Sequence, residues 1–149
     1  MQRTLALDIG QKRIGIAVSD PLGYTAQGLE TYTRKHDIVQ DVEHILALAE
    51  QYKPVRLLFG MPRNMDGSYG HQSEAVRAFA DEVLLRFTGE VVFHDERLTT
   101  VSAERVLLDA DMSREKRKKV IDKLAAVVIL QSYLDMLRNQ QRRENTEET

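Results

Sequence analysis

Between Thr4 and Ser19 the side chains alternate, break, and alternate again. Thr4, Ala6 and Asp8 fall on one face of an extended segment, and Leu5, Leu7 and Ile9 on the other, which is the two-residue period of a strand. Gly10–Lys12 turns the chain. Arg13–Ser19 then sets Ile14, Ile16 and Val18 against Gly15, Ala17 and Ser19. Two strands joined so tightly pair antiparallel. One face of this hairpin is branched and apolar; the other is nearly bare. A helix can approach a bare face closely, so the hairpin demands a partner on each side.

The rest of the chain supplies them. Pro21–Gly23 ends the hairpin, and Gly28–Thr33 reads as a short third strand. Asp37 with Gln40 forms a capping pair for a helix carrying Ile38, Val42, Ile45, Leu46 and Ala49, ended by Pro54. Arg56–Gly60 is a short apolar strand, followed by a loop over Met61–Gly70. Val76, Phe79, Ala80, Val83, Leu84 and Phe87 mark a second helix, stopped by Gly89. Glu90–Asp95 is a further strand, Thr99–Asp109 a third helix, and Ser113 caps a long last helix to about Arg138. Asn139–Thr149 holds no apolar residue and is expected to be a disordered polar tail.

The order β-β-β-α-β-α-β-α-α predicts an α/β domain over residues 1–138. Its sheet has five strands, three antiparallel and then two parallel through right-handed crossovers, with helices on both faces.

Three acids are placed where chemistry occurs. Asp8 ends the first strand, the edge at which ligands bind in open α/β sheets. Asp95 and Glu96 end the last strand, which runs the same way. Asp122 shares a helix stripe with Ala125, Ala126, Ile129 and Tyr133, where a carboxylate is costly unless paired or bound to a cation. Converging carboxylates suit hard divalent ions, which take oxygen ligands. Each acid also has a plainer reading. Asp8 before Gly10 is a turn former. The acids before Thr99 and Thr100 can cap a helix. Asp122 can pair with Lys118 or Lys119 one turn away.

Composition narrows the chemistry further. The 149 residues suffice for one domain with a real core. There is no cysteine, which excludes disulfides, thiolate metal sites and a cysteine nucleophile. No apolar run approaches the roughly 20 residues of a membrane span, and the N-terminus lacks a secretory pattern, so a soluble cytoplasmic protein is expected. With 21 Lys+Arg against 23 Asp+Glu the net charge is −2, which at first argues against nucleic acid. The basic residues are clustered, however. Arg114, Lys116, Arg117, Lys118 and Lys119 against Glu115 give a segment of +4 just before Asp122. Lys12, Arg13, Arg63 and Arg97 flank the other motifs. Such cations can contact phosphates, although a charge run can also be only a solvated helix face.

DIGQKRIGIAVSD (Asp8–Asp20), GMPRNMDGSYG (Gly60–Gly70), HDERLTT (His94–Thr100) and IDKLAAVVILQSYL (Ile121–Leu134) resemble, in order and spacing, the YqgF family, also called RuvX. The resemblance spans about Thr4 to Leu137. It implies a ribonuclease H-like fold with the first strand central. It implies that Asp8, Glu96 and Asp122 are the catalytic acids and hold Mg²⁺ or Mn²⁺, two ions in the expected arrangement. It implies a nuclease that matures the 5′ end of pre-16S ribosomal RNA. The loop departs from the family pattern GLPLNMDG, with Met61 and Arg63 in place of leucines. Arg63 thereby adds a cation on the substrate side.

Two other readings compete. A Holliday junction resolvase acting on four-way DNA needs two sites related by a two-fold axis, and hence a dimer. A non-catalytic nucleic-acid or transcription-complex binding module would keep the fold without needing the acids.

Overall fold

The computed structural model describes residues 2–63, 66–95 and 113–147. Strands β1 (Thr4–Ile9), β2 (Arg13–Ser19), β3 (Ala26–Thr33), β4 (Arg56–Met61) and β5 (Glu90–Asp95) form one sheet in the order β3-β2-β1-β4-β5. β1 pairs antiparallel with β2 and β2 with β3, while β1–β4 and β4–β5 are parallel. This is the expected mixed sheet, with β1 at its centre. β3 begins two residues earlier than the sequence reading placed it, and its register with β2 shifts between Ile16 and Ala17.

Among the described residues three helices cover the sheet: α1 (Ile38–Tyr52), α2 (His71–Leu84) and α3 (Arg114–Glu147). Asp37 caps α1 by accepting from the Val39 amide at 3.0 Å, and Gln40 reaches back to it at 3.4 Å. Lys53 then closes α1 in the left-handed region, φ 49°. The helix predicted over Thr99–Asp109 lies outside the described residues, as do Glu96 and Arg97.

The two faces of the sheet pack differently. Leu5, Leu7, Ile14, Ile16, Val18, Leu57 and Phe59 are buried against Val42 and Ile45 of α1 and Val76, Phe79 and Val83 of α2. The other face, with Ala6, Ala17 and Leu58, meets Ala126, Ile129, Leu130, Tyr133 and Leu134 of α3. Small residues permit this close approach. A Cβ on Gly15 would collide with the Asp122 carbonyl, 2.6 Å from its carbon, and one on Gly28 would lie 2.9 Å from the Lys123 side chain.

α3 does not end near Arg138 as the sequence reading expected. It continues through the exposed residues beyond to Glu147. Neither Gly nor Pro interrupts Asn139–Glu147, and Gln, Arg and Glu are good helix formers. The helix therefore runs on without the apolar stripe that the sequence reading used to mark its end.

Candidate active site at the carboxyl edge of the central strands

The site is assembled by the register of β1 and β2. Asp8 is the direct cross-strand partner of Gly15, on the Ala6–Ala17 face that α3 covers. The backbone of α3 at Asp122 lies against Gly15. Asp8 and Asp122, far apart in sequence, therefore come to one end of one face. β5 reaches the same edge at Asp95, one residue before Glu96. Among the described residues no group of three His, Asp or Glu side chains is arranged to hold a metal.

Asp122 is not paired with Lys118 or Lys119. Arg13 Nε donates to Asp122 Oδ2 at 2.6 Å, with both side chains about three-quarters buried. A cation singled out for phosphate contact thus engages an acid singled out for metal binding. This pair ties β2 to α3 at the site.

On the opposite face, a buried carboxylate braces the same edge. Asp41, in the first turn of α1, is fully buried. It accepts from Arg34 Nε at 2.8 Å, Tyr32 Oη at 3.0 Å and the Lys35 amide at 3.1 Å. Burial pushes its carboxyl up, but the bonds from Arg34, Lys35 and Tyr32 outweigh this and hold it below its ordinary value. Arg34 in turn donates to the Gly10 carbonyl at 2.9 Å. A cleft of about 240 Å³ opens beside it, lined in part by Asp8, Gly10, Arg34, Pro62 and His71. Asp41 occupies a helix stripe with Val42, Ile45 and Ala49, so the signal that marks Asp122, an acid among apolar positions, marks it too.

Of the remaining predicted cations, the described ones lie as follows. Lys12 is exposed at the β1–β2 turn. Arg63 lies 4.0 Å from Asp95. Arg114, Lys116, Lys118 and Lys119 are exposed on the first turns of α3, and Arg117 is half-buried. The Lys119 carbonyl accepts from Thr31 Oγ1, fastening this end of α3 to β3.

A five-stranded mixed sheet with a central acid-ended β1, helices on both faces and a second acid from a closely seated last helix defines a ribonuclease H-like fold of the RuvC kind. Solved structures agree. The chain of "T. thermophilus RuvC in complex with Holliday junction substrate" superposes with a TM-score of 0.55 at 14% identity, covering 90% of this chain and 94% of that one. A second Thermus thermophilus RuvC structure gives 0.50 at 11% identity, covering 93% and 97%.

Residues 2–136 match the family model described as "RuvX: Holliday junction resolvase", and the chain belongs to the RuvX family. A relative from Halalkalibacterium halodurans, named "Putative pre-16S rRNA nuclease", is 55% identical over 134 residues, 89% of this chain and 96% of the relative. Relatives of the same name from Clostridium botulinum and Clostridium perfringens are 50% and 49% identical over 135 residues, 91% of this chain and 98% of each relative.

Proposed function

We propose that this protein is a metal-dependent nuclease that hydrolyses a phosphodiester bond in maturing the 5′ end of pre-16S ribosomal RNA. The observation that carries the reading is the seating of α3 at Asp122 on Gly15, directly across from Asp8. It brings two carboxylates from opposite ends of the chain to the sheet edge where ligands bind. The names of the relatives supply the RNA substrate.

Asp8, Glu96 and Asp122 are the residues that would hold Mg²⁺ or Mn²⁺, two ions in our reading. The donor set fits in kind: Asp8 and Asp122 offer carboxylate oxygens, which hard divalent cations prefer, and the chain has no sulfur ligand of the thiolate type. When bound, such ions lower the pKa of water and stabilise charge on a leaving oxygen. The reaction adds water to phosphorus and breaks the bond to the 3′ oxygen, leaving a 5′ phosphate and a 3′ hydroxyl. Arg13 acts as a positioning residue by fixing the Asp122 carboxylate at the start of β2. Lys12, Arg63, Arg97, Arg114, Lys116, Arg117, Lys118 and Lys119 line the path of the nucleic-acid backbone as phosphate contacts.

Asp8→Asn and Glu96→Gln test the assignment. Each is expected to abolish Mg²⁺- or Mn²⁺-dependent cutting of precursor RNA, with thermal melting close to that of the parent. Cutting by both variants at the parental rate would refute it. Offering four-way DNA junctions in parallel, with the solution mass measured, decides between ribosomal precursor and junction as substrate.

A further inference from the structure

Beside the carboxylate edge, two arginines and two rings form a connected series. Phe93 of β5 packs 5.9 Å from the buried ring of Phe59, yet is itself 37% exposed. Arg77 of α2 lies 5.3 Å from the Phe93 ring and 5.4 Å from the ring of Tyr69. Tyr69 is 47% exposed on the loop between β4 and α2. Arg63 lies 4.5 Å from the same ring and also donates to the Tyr69 hydroxyl. Arg63 then comes within 4.0 Å of Asp95, two residues beyond Phe93 and one before Glu96. The series therefore climbs from the core to the end of β5.

Cation–π contacts alone would explain a braced loop. Two features exceed a brace. Among the described residues Arg77 has no acidic partner within 4.0 Å. Two large rings remain part-exposed beside it. Part-exposed rings alternating with guanidinium groups complement a ligand of planar bases joined by phosphates. Bases in a duplex are already stacked on each other, so only unpaired bases can use such a surface.

We propose that Arg63, Tyr69, Arg77 and Phe93 form a stacking subsite for unpaired RNA nucleotides flanking the cleaved bond. This rests on the nuclease reading for its position along the substrate, but not for the binding itself.

The test is fluorescence anisotropy in EDTA with a short labelled single-stranded RNA, beside a blunt RNA duplex of the same sequence. Tyr69→Ala should weaken single-strand binding about fivefold or more, while Tyr69→Phe binds like the parent and duplex affinity stays within about twofold. Arg77→Gln should lower the slope of log affinity against log salt by about 0.7. The subsite is overturned if Tyr69→Ala and Arg77→Gln both bind single strands within about twofold of the parent. It is overturned equally if Tyr69→Phe loses as much as Tyr69→Ala, or if the duplex weakens as much as the single strand. Because binding is read without metal, a parent protein that cuts no precursor RNA with Mg²⁺ or Mn²⁺ would sink the nuclease reading and leave this result standing. Parental affinity in Tyr69→Ala and Arg77→Gln would overturn the subsite and leave the nuclease reading standing.

Discussion

Asp41 shows how one buried side chain fixes the candidate edge from behind. Its carboxylate gathers Arg34, Tyr32 and the Lys35 amide, and Arg34 passes the restraint to the Gly10 carbonyl. Removing one member of a buried ion pair costs several kcal/mol, because the other is left uncompensated. Asp41→Asn is therefore expected to lose about 2–3 kcal/mol at pH 7, measured by denaturant unfolding. The carboxyl sits below its ordinary value in the folded protein, so its contribution is complete at neutral pH. It fades as pH falls below about 4, through the folded value. The gap between variant and parent should narrow on going from pH 7 to pH 3; a gap of constant size would show that the charge is not what matters. At this scale the sequence is only partly readable. Asp122 is visible as an acid on an apolar stripe, but its partner is not. Lys118 and Lys119 are near in sequence, whereas Arg13 is brought there only by the sheet. Arg77 and Phe93 read as an ordinary helix face and an ordinary strand alternation, and their contact depends on how α2 crosses β5.

Among the elements, β2 and α3 carry the most consequential contact. Beyond Arg13, the α3-facing side of β2 is small at Gly15, Ala17 and Ser19, and α3 is seated directly on it. Gly15→Ala places a methyl group into the Asp122 carbonyl. Backbone cannot yield as a flexible side chain can, so the helix must lift. Overpacking of this kind costs about 1–3 kcal/mol, and here the displacement also separates Asp122 from Asp8. Gly15→Ala should lower stability by that amount in denaturant melts and reduce RNA cutting more than its stability loss accounts for. Undiminished cutting would mean that the Asp8–Asp122 approach is not required. The closeness of this contact was legible in the bare face of the hairpin, because small residues in alternate positions have few other uses. The bounds of β1 and β2 were legible for a related reason, since their period-two alternation ended at turn residues. The far end of α3 was not, because helix propensity without an apolar stripe leaves no periodic mark.

Seen whole, the molecule divides its labour between two cores. Among the described residues, one face is closed by α1 and α2 and the other by α3. Its overall charge of −2 says little about its partners, since cations collect at the edge where β1 and β5 end and on the first turns of α3. Residues 139–146 are exposed, touch neither core cluster and lie beyond the last apolar position. A chain ending at Arg138 should lose helical signal in circular dichroism yet melt within about 2 °C of the full chain, the scale of a change below 1 kcal/mol for a domain this size. A larger drop would show that the extension supports the fold.

The seating of α3 on Gly15 has a further consequence in the order of synthesis. A nascent chain that has emerged only as far as β5 already owns Asp8, but it has neither Asp122 nor a cover for Ala6, Ala17 and Leu58. α3 packs over this second core and carries Asp122 against Gly15. Closure of the Ala6–Ala17–Leu58 face and the approach of Asp122 to the Asp8 end of the sheet are therefore the same structural event.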